Sequence, residues 1–91
     1  MEPEPFRGRT AIVTGGARGI GLACAAKITA GGGRVALWDR DPERAKQSAT
    51  TLKGAIALAV DVTSEADVAR ALAETEQLLQ EYERIQDQMS K

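Results

Sequence analysis

Histidine is absent from these 91 residues, and cysteine occurs once, as Cys24. The first absence removes the commonest general base and the commonest metal ligand, so no metal site is expected. The second excludes an intrachain disulfide, and with it the small secreted scaffold that disulfides hold together. Aromatic residues are scarce, with one Phe, one Trp and one Tyr. No apolar run approaches the roughly 18 residues that span a membrane. Met1-Glu2-Pro3-Glu4-Pro5 has neither the basic start nor the apolar stretch of a secretory signal, so a cytoplasmic location is expected. Neither sign of charge dominates. Twelve Lys and Arg stand against 13 Asp and Glu, a net charge of -1. Nucleic-acid binders normally carry a basic excess, so that class of partner is not expected.

What remains is an ordinary globular composition, 43% hydrophobic and 27% charged, in a chain long enough for one small domain. Residues 1–9 read as an arm, because Pro3 and Pro5 disfavour helix. Residues 10–91 read as a single domain. Thr10-Ala11-Ile12-Val13-Thr14 has the β-branched, apolar character of a buried parallel strand and stops at Gly15-Gly16. A helix follows from Gly19 to Ala30, with Ile20, Ala23, Cys24, Lys27 and Ile28 at helical spacing, and Gly31-Gly32-Gly33 ends it. Residues 34–39 form a second strand. Asp41 and Pro42 are the N-cap and first residue of a second helix that runs to about Leu52. Residues 55–61 form a third strand, and Thr63 or Ser64 caps a third helix. Neither glycine nor proline occurs after Gly54, so nothing stops that helix before Ser90. The order βαβαβα predicts an α/β half-Rossmann fold, a three-stranded parallel sheet flanked by helices with a long C-terminal helix.

The chemistry concentrates in Thr14-Gly15-Gly16-Ala17-Arg18-Gly19-Ile20-Gly21, between the first strand and the first helix. Gly15 permits the sharp turn, Gly19 lets backbone approach a pyrophosphate, and Gly21 lets the helix pack tightly. Phosphates then meet the free N–H groups and positive end of the helix. Asp39 ends the second strand, 24 residues beyond Gly15, close to the spacing of an acid that takes the adenosine ribose hydroxyls.

These motifs resemble those of the short-chain dehydrogenase/reductase family. Thr14-Gly15-x-x-x-Gly19-Ile20-Gly21 is similar to its cofactor signature, and Phe6-x-Gly8-x-Thr10-Ala11-Ile12-Val13 to the stretch before it. Asp61-Val62-Thr63 is similar to the segment after the family's third strand. The resemblance runs from residue 6 to about residue 80, with the character of 3-oxoacyl-carrier-protein reductases and sugar or polyol dehydrogenases. It implies that Asp61 holds the adenine amino group and that Val62 packs on the ring. The implied reaction is hydride transfer between NAD(P) and a secondary alcohol or ketone. Asp39, acceptor-only and negative, suits a ribose diol and repels a 2′-phosphate, which favours NAD over NADP. Arg18 and Arg40 pull the other way, since the family uses a basic residue at either place to grip that phosphate.

The family's catalytic groups are an Asn-Asn-Ala-Gly strand end, a Ser and a Tyr-x-x-x-Lys pair. None is present here. Tyr82 is followed four positions on by Gln86, and Glu83 stands where the family has a glycine before the Arg84-Ile85 pair. Alone, the chain is therefore expected to bind the adenosine-pyrophosphate part of NAD without turning over an alcohol. The alternative is a non-enzymatic binding or assembly module. In the family the first strand pairs on its far side with a fourth, so residues 10–14 here are expected to form an open edge. A helix from Ser64 to Ser90 would measure roughly 40 Å, against about 17–20 Å for a strand of five or six residues. The helix carries a stripe of Val68, Leu72, Leu79, Tyr82 and Met89 that continues into its overhanging distal half, with Leu78 and Ile85 alongside and Thr75 and Gln86 interrupting. Self-association through the strand edge, the helix overhang or both is expected. Cys24 reads as a small buried residue, Trp38 as a side chain packed beneath a helix, and Arg44, Lys46 and Lys53 as solvated surface.

Overall fold

The unbroken apolar run Val35-Ala36-Leu37-Trp38 takes the centre of the sheet, as a strand covered on both faces must. In a computed structural model of the chain, residues 4–89 are described, with side chains on the last helix described as far as Glu81 and at Arg84. Strands β1 (Thr10–Thr14), β2 (Arg34–Asp39) and β3 (Ala55–Ala59) lie parallel in the order β1-β2-β3. Thr14 pairs with Trp38 and Asp39 with Ala59, so the carboxyl ends lie close together. Helices α1 (Gly19–Ala30), α2 (Pro42–Ala49) and α3 (Glu65–Met89) complete the βαβαβα order read from the sequence.

Alternation along β2 sorts the core into two layers. Val35 and Leu37 pack with Val13, with Ala25 and Ile28 of α1, and with Ala49 and Leu52 at the end of α2. Ala36 and Trp38 pack on the opposite face with Ile56, Leu58, Val60, and Val68 and Ala71 of α3. Thus α1 and α2 cover one face and α3 the other. Helix ends follow the local chemistry. The Asp41 carboxylate accepts from the Arg44 N–H at 3.1 Å, with Pro42 at the first helical position. Gly32 takes φ +91°, and Gly33 N–H donates to Ile28 C=O while Gly32 N–H donates to Thr29 C=O, the paired bonds of a Schellman cap. Phe6 lies against that cap, its N–H donating to Gly31 C=O at 2.9 Å.

Several expectations need correction. β1 alternates between exposed and half-buried because it pairs on one side only, so it is not the fully buried strand its composition suggests. β3 ends at Ala59, two residues before Asp61, where the chain turns toward α3. Cys24 is exposed. The inner side of α1 is instead Gly21, Leu22, Ala25 and Ile28, and Ile20 is 84% exposed. Spacing alone allows either stripe, and the tight seat of Gly21 on the preceding turn selects this one. On α3, Leu79 is buried but Leu72 and Leu78 are exposed, while Thr75 is 2% exposed. Its hydroxyl accepts from the Trp38 indole N–H at 3.0 Å, which places Trp38 beneath a helix as read. Arg34, at the start of β2, donates to Leu79 C=O at 3.4 Å, so α3 has crossed the sheet by Leu79 and continues past it. The side chains of Tyr82, Ile85, Gln86 and Met89, and residues 1–3 and 90–91, lie outside the described residues.

Candidate functional site

β1 delivers the chain to its glycine-rich turn at the carboxyl end of the sheet. The turn is fastened to β2. Gly15 and Gly16 N–H both donate to Trp38 C=O, at 2.8 and 3.3 Å. Ala17 N–H donates to Asp39 Oδ2 at 3.1 Å, and Ala17 C=O accepts from Ser48 Oγ at 2.6 Å. Helical bonding begins only at Leu22, whose N–H donates to Arg18 C=O. The N–H groups of Arg18, Gly19, Ile20 and Gly21 are left with no acceptor among the described residues. They are the free donors that the start of any helix offers.

The space before them is clear. Gly19 holds φ +60°, and a Cβ placed there would meet no atom within 4 Å. Gly21 is the reverse case, since its Cβ would stand 2.5 Å from Gly15 C=O. Any side chain at Gly21 drives the turn and helix apart, whereas a side chain at Gly19 meets no protein atom, projects into the open cradle and carries only the strain of a left-handed backbone. Such a cradle, lined by free amides at a positive helix end, fits a diphosphate.

The acids stand beside it. Asp39 is half-buried at the end of β2, with Oδ2 on Ala17 N–H and Oδ1 on Asp41 N–H, both at 3.1 Å. Its carboxylate is thus aimed by two backbone donors and keeps lone pairs for a diol. Asp61 follows β3. Its Oδ1 accepts from both Thr63 Oγ1 at 2.6 Å and Thr63 N–H at 3.0 Å. These bonds hold the Asp61 carboxyl below the ordinary value of 3.8, with a further contribution from the positive charge of Arg40. Asp61 N–H in turn donates to Asp67 Oδ2 at 2.7 Å, and this bond, with the Arg70 guanidinium, holds Asp67 below 3.8 as well.

The structure therefore brings Thr14, Gly15, Arg18, Gly19, Ile20 and Gly21 onto one turn at the carboxyl edge, with Asp39, Arg40, Asp61 and Val62 on the adjoining strand ends. Ile20 at 84% and Val62 at 52% exposed are apolar groups with little protein against them. Sequence reasoning missed Ser48, a buried hydroxyl on α2. Its one legible signal is a polar residue on the apolar face of a short helix, shared with Ala45. A depression of about 990 Å³ lies at the other end of the sheet, where Arg7, Arg9, Arg34 and Lys53 sit near the carboxyl ends of α1 and α2. Those cations complement the helix dipoles, and none of the residues named above lines that depression. Among the described residues no three metal-ligating side chains cluster, and no helix is long and apolar enough to cross a membrane.

Ligands of open parallel sheets enter beyond the strands' carboxyl ends, which is where the glycine-rich turn of this chain lies. The turn, the free helix terminus and the adjoining carboxylate of Asp39 at that point are the features of a dinucleotide-binding α/β domain. A family model described as short chain dehydrogenase matches residues 9–86, and the chain belongs to that family, whose NAD(P)-binding part it carries. It is 44% identical over 66 residues to a 2-dehydro-3-deoxy-L-rhamnonate dehydrogenase (NAD(+)) of Sphingomonas sp. strain SKA58, covering 72% of this chain and 26% of that protein. It is 44% identical over 68 residues to a sorbitol dehydrogenase of Cereibacter sphaeroides, covering 74% and 27%. Among solved structures, a 3-ketoacyl-(acyl-carrier-protein) reductase from Brucella melitensis complexed with NADH superposes with a TM-score of 0.77 at 32% identity, covering 80% of this chain and 30% of that one. The chain thus spans about a quarter of the length of the curated relatives it matches.

Proposed function

We propose that this chain binds NAD through its adenosine and pyrophosphate groups, as part of a dehydrogenase acting on a secondary alcohol. The observation that carries the proposal is the bond from Ala17 N–H to Asp39 Oδ2, which ties the acid facing the ribose to the turn facing the phosphates. The free amides of Arg18 to Gly21 would hold the diphosphate, Asp39 the ribose diol, and Asp61 and Val62 the adenine. The nicotinamide supplies hydride acceptance when bound. Asp39 favours NAD, because its oxygens accept from two backbone N–H groups and cannot swing aside for a 2′-phosphate without releasing the turn. Arg40 contributes its charge to Asp61, so part of its field is already directed at a carboxylate. The relatives named for rhamnonate and sorbitol suggest a polyhydroxylated substrate. These residues alone carry no His and no Tyr-x-x-x-Lys, and they are expected to reduce no NAD with any alcohol. A cytoplasmic location fits the same reading.

Titration with ADP-ribose and with its 2′-phosphate tests the cofactor choice. ADP-ribose is expected to bind with a dissociation constant in the high micromolar to millimolar range, about -4 to -6 kcal/mol, and at least about tenfold tighter than the 2′-phosphate. Equal or reversed affinities would refute the preference for NAD. A second reading, self-association, is favoured by the open edge of β1, where Ile12 is 38% exposed on the face that α3 leaves uncovered.

A further inference from the structure

Ala17 has both of its backbone groups committed. Its N–H is held by Asp39 Oδ2 and its C=O by Ser48 Oγ, and the residue is 2% exposed. Ser48 is itself only 9% exposed, in the last turn of α2, which shields this 2.6 Å bond from water. Asp41 caps α2, and its own N–H donates to Asp39 Oδ1. Asp39, Ala17, Ser48 and Asp41 therefore close a ring that joins turn, strand end and helix.

The peptide that carries Ala17 C=O also carries Arg18 N–H. In a planar trans peptide those groups point in opposite directions, and among the described residues no peptide is cis. Ser48 draws the C=O inward toward α2 and so turns the Arg18 N–H outward, to the open side of the turn. Arg18 N–H is the first of the free donors at the cradle. We infer that Ser48 is a positioning residue for the diphosphate, acting through the Ala17–Arg18 peptide and touching no ligand itself. This inference rests on the dinucleotide reading. Helical propensity would favour alanine at this position, and a hydroxyl there supplies what alanine cannot, a donor aimed at the turn.

The test compares Ser48→Ala, Ser48→Cys and Ser48→Thr with the unaltered chain by ADP-ribose titration, with the Arg18 amide resonance followed in the ligand-free protein. Loss of one buried neutral hydrogen bond predicts about a fivefold weaker affinity in Ser48→Ala. Ser48→Cys should be intermediate, and Ser48→Thr, which keeps the hydroxyl, should recover most of the loss. The free Arg18 amide should shift in Ser48→Ala and return in Ser48→Thr. Ala45→Gly, which weakens α2 without touching Ala17, should lower Tm and leave affinity within about twofold. Unchanged affinity in Ser48→Ala, failure of Ser48→Thr to recover it, or an equal loss in Ala45→Gly overturns the inference. If the unaltered chain does not bind ADP-ribose, the dinucleotide reading fails. The Arg18 amide then decides the orienting role, which a shift supports and an unmoved resonance overturns.

Discussion

At the scale of single residues, the site is built from bonds that commit backbone groups in one direction so that others face outward. Gly15, Gly16 and Ala17 spend their N–H groups on β2, which leaves those of Arg18 to Gly21 free. The glycines and Asp39 were legible because their spacing follows from what a turn, a phosphate and a ribose require. Ser48 and Thr75 were not legible. Both are polar residues on apolar faces, and only the fold supplies their partners. Thr75 in particular reads as a break in the α3 stripe, yet it is buried and satisfies the Trp38 indole. A double-mutant cycle measures that pair. Thr75→Val should cost about 1–3 kcal/mol by stranding a buried N–H. Trp38→Phe with Thr75→Val should cost less than the sum of the single changes, since neither partner is then left unpaired. Additive losses in urea denaturation would show that the bond does not form.

Among the elements, α1 and β2 were read with their observed limits, because glycine stops both sides of α1 and β2 is an uninterrupted apolar run. β3 was read two residues long, since Val60 and Asp61 have strand character but no strand partner beyond Asp39. The turn between β3 and α3 depends on ionised acids. Asp61 binds Thr63, and Asp67 binds Asp61 N–H, while Ser64 Oγ caps α3 by accepting from Asp67 N–H at 3.2 Å. Both carboxyls are depressed below 3.8 in the folded chain. Their contribution is therefore fully present above the unfolded value of 3.8 and is lost as pH falls through the lower folded value. Stability should fall between about pH 5 and pH 3, and Asp67→Asn should flatten that fall while lowering stability at pH 7. Denaturant midpoints across this range check it, and an Asp67→Asn profile parallel to the parent's would contradict the assignment.

For the whole molecule, two helix layers on a three-stranded sheet leave β1 as an edge, with Ile12 uncovered on the α3 face. The composition of Thr10–Thr14 reads as a buried strand, and the open edge was legible only from the family resemblance, in which a further strand pairs there. Association through it should be broken by Ile12→Lys, which places a charge on the edge. Leu79→Glu is unsuitable as a probe because Leu79 is 6% exposed and its loss would free α3 from the sheet. Sedimentation equilibrium should find a dimer for the parent and a monomer for Ile12→Lys, and a parent that stays monomeric at high micromolar concentration rules the dimer out. The proposed site is tested apart from that outcome, since the residues named for it lie together within one chain. It is tested most directly by an NMR titration with millimolar ADP-ribose. The amides of Arg18, Gly19, Ile20 and Gly21 should shift most, with those of Asp39 to Asp41 following, and Gly19→Ala should abolish the shifts while the protein remains folded. Shifts confined to the opposite end of the sheet, near Arg7, Arg34 and Lys53, or none at all, would contradict a dinucleotide site at the glycine-rich turn.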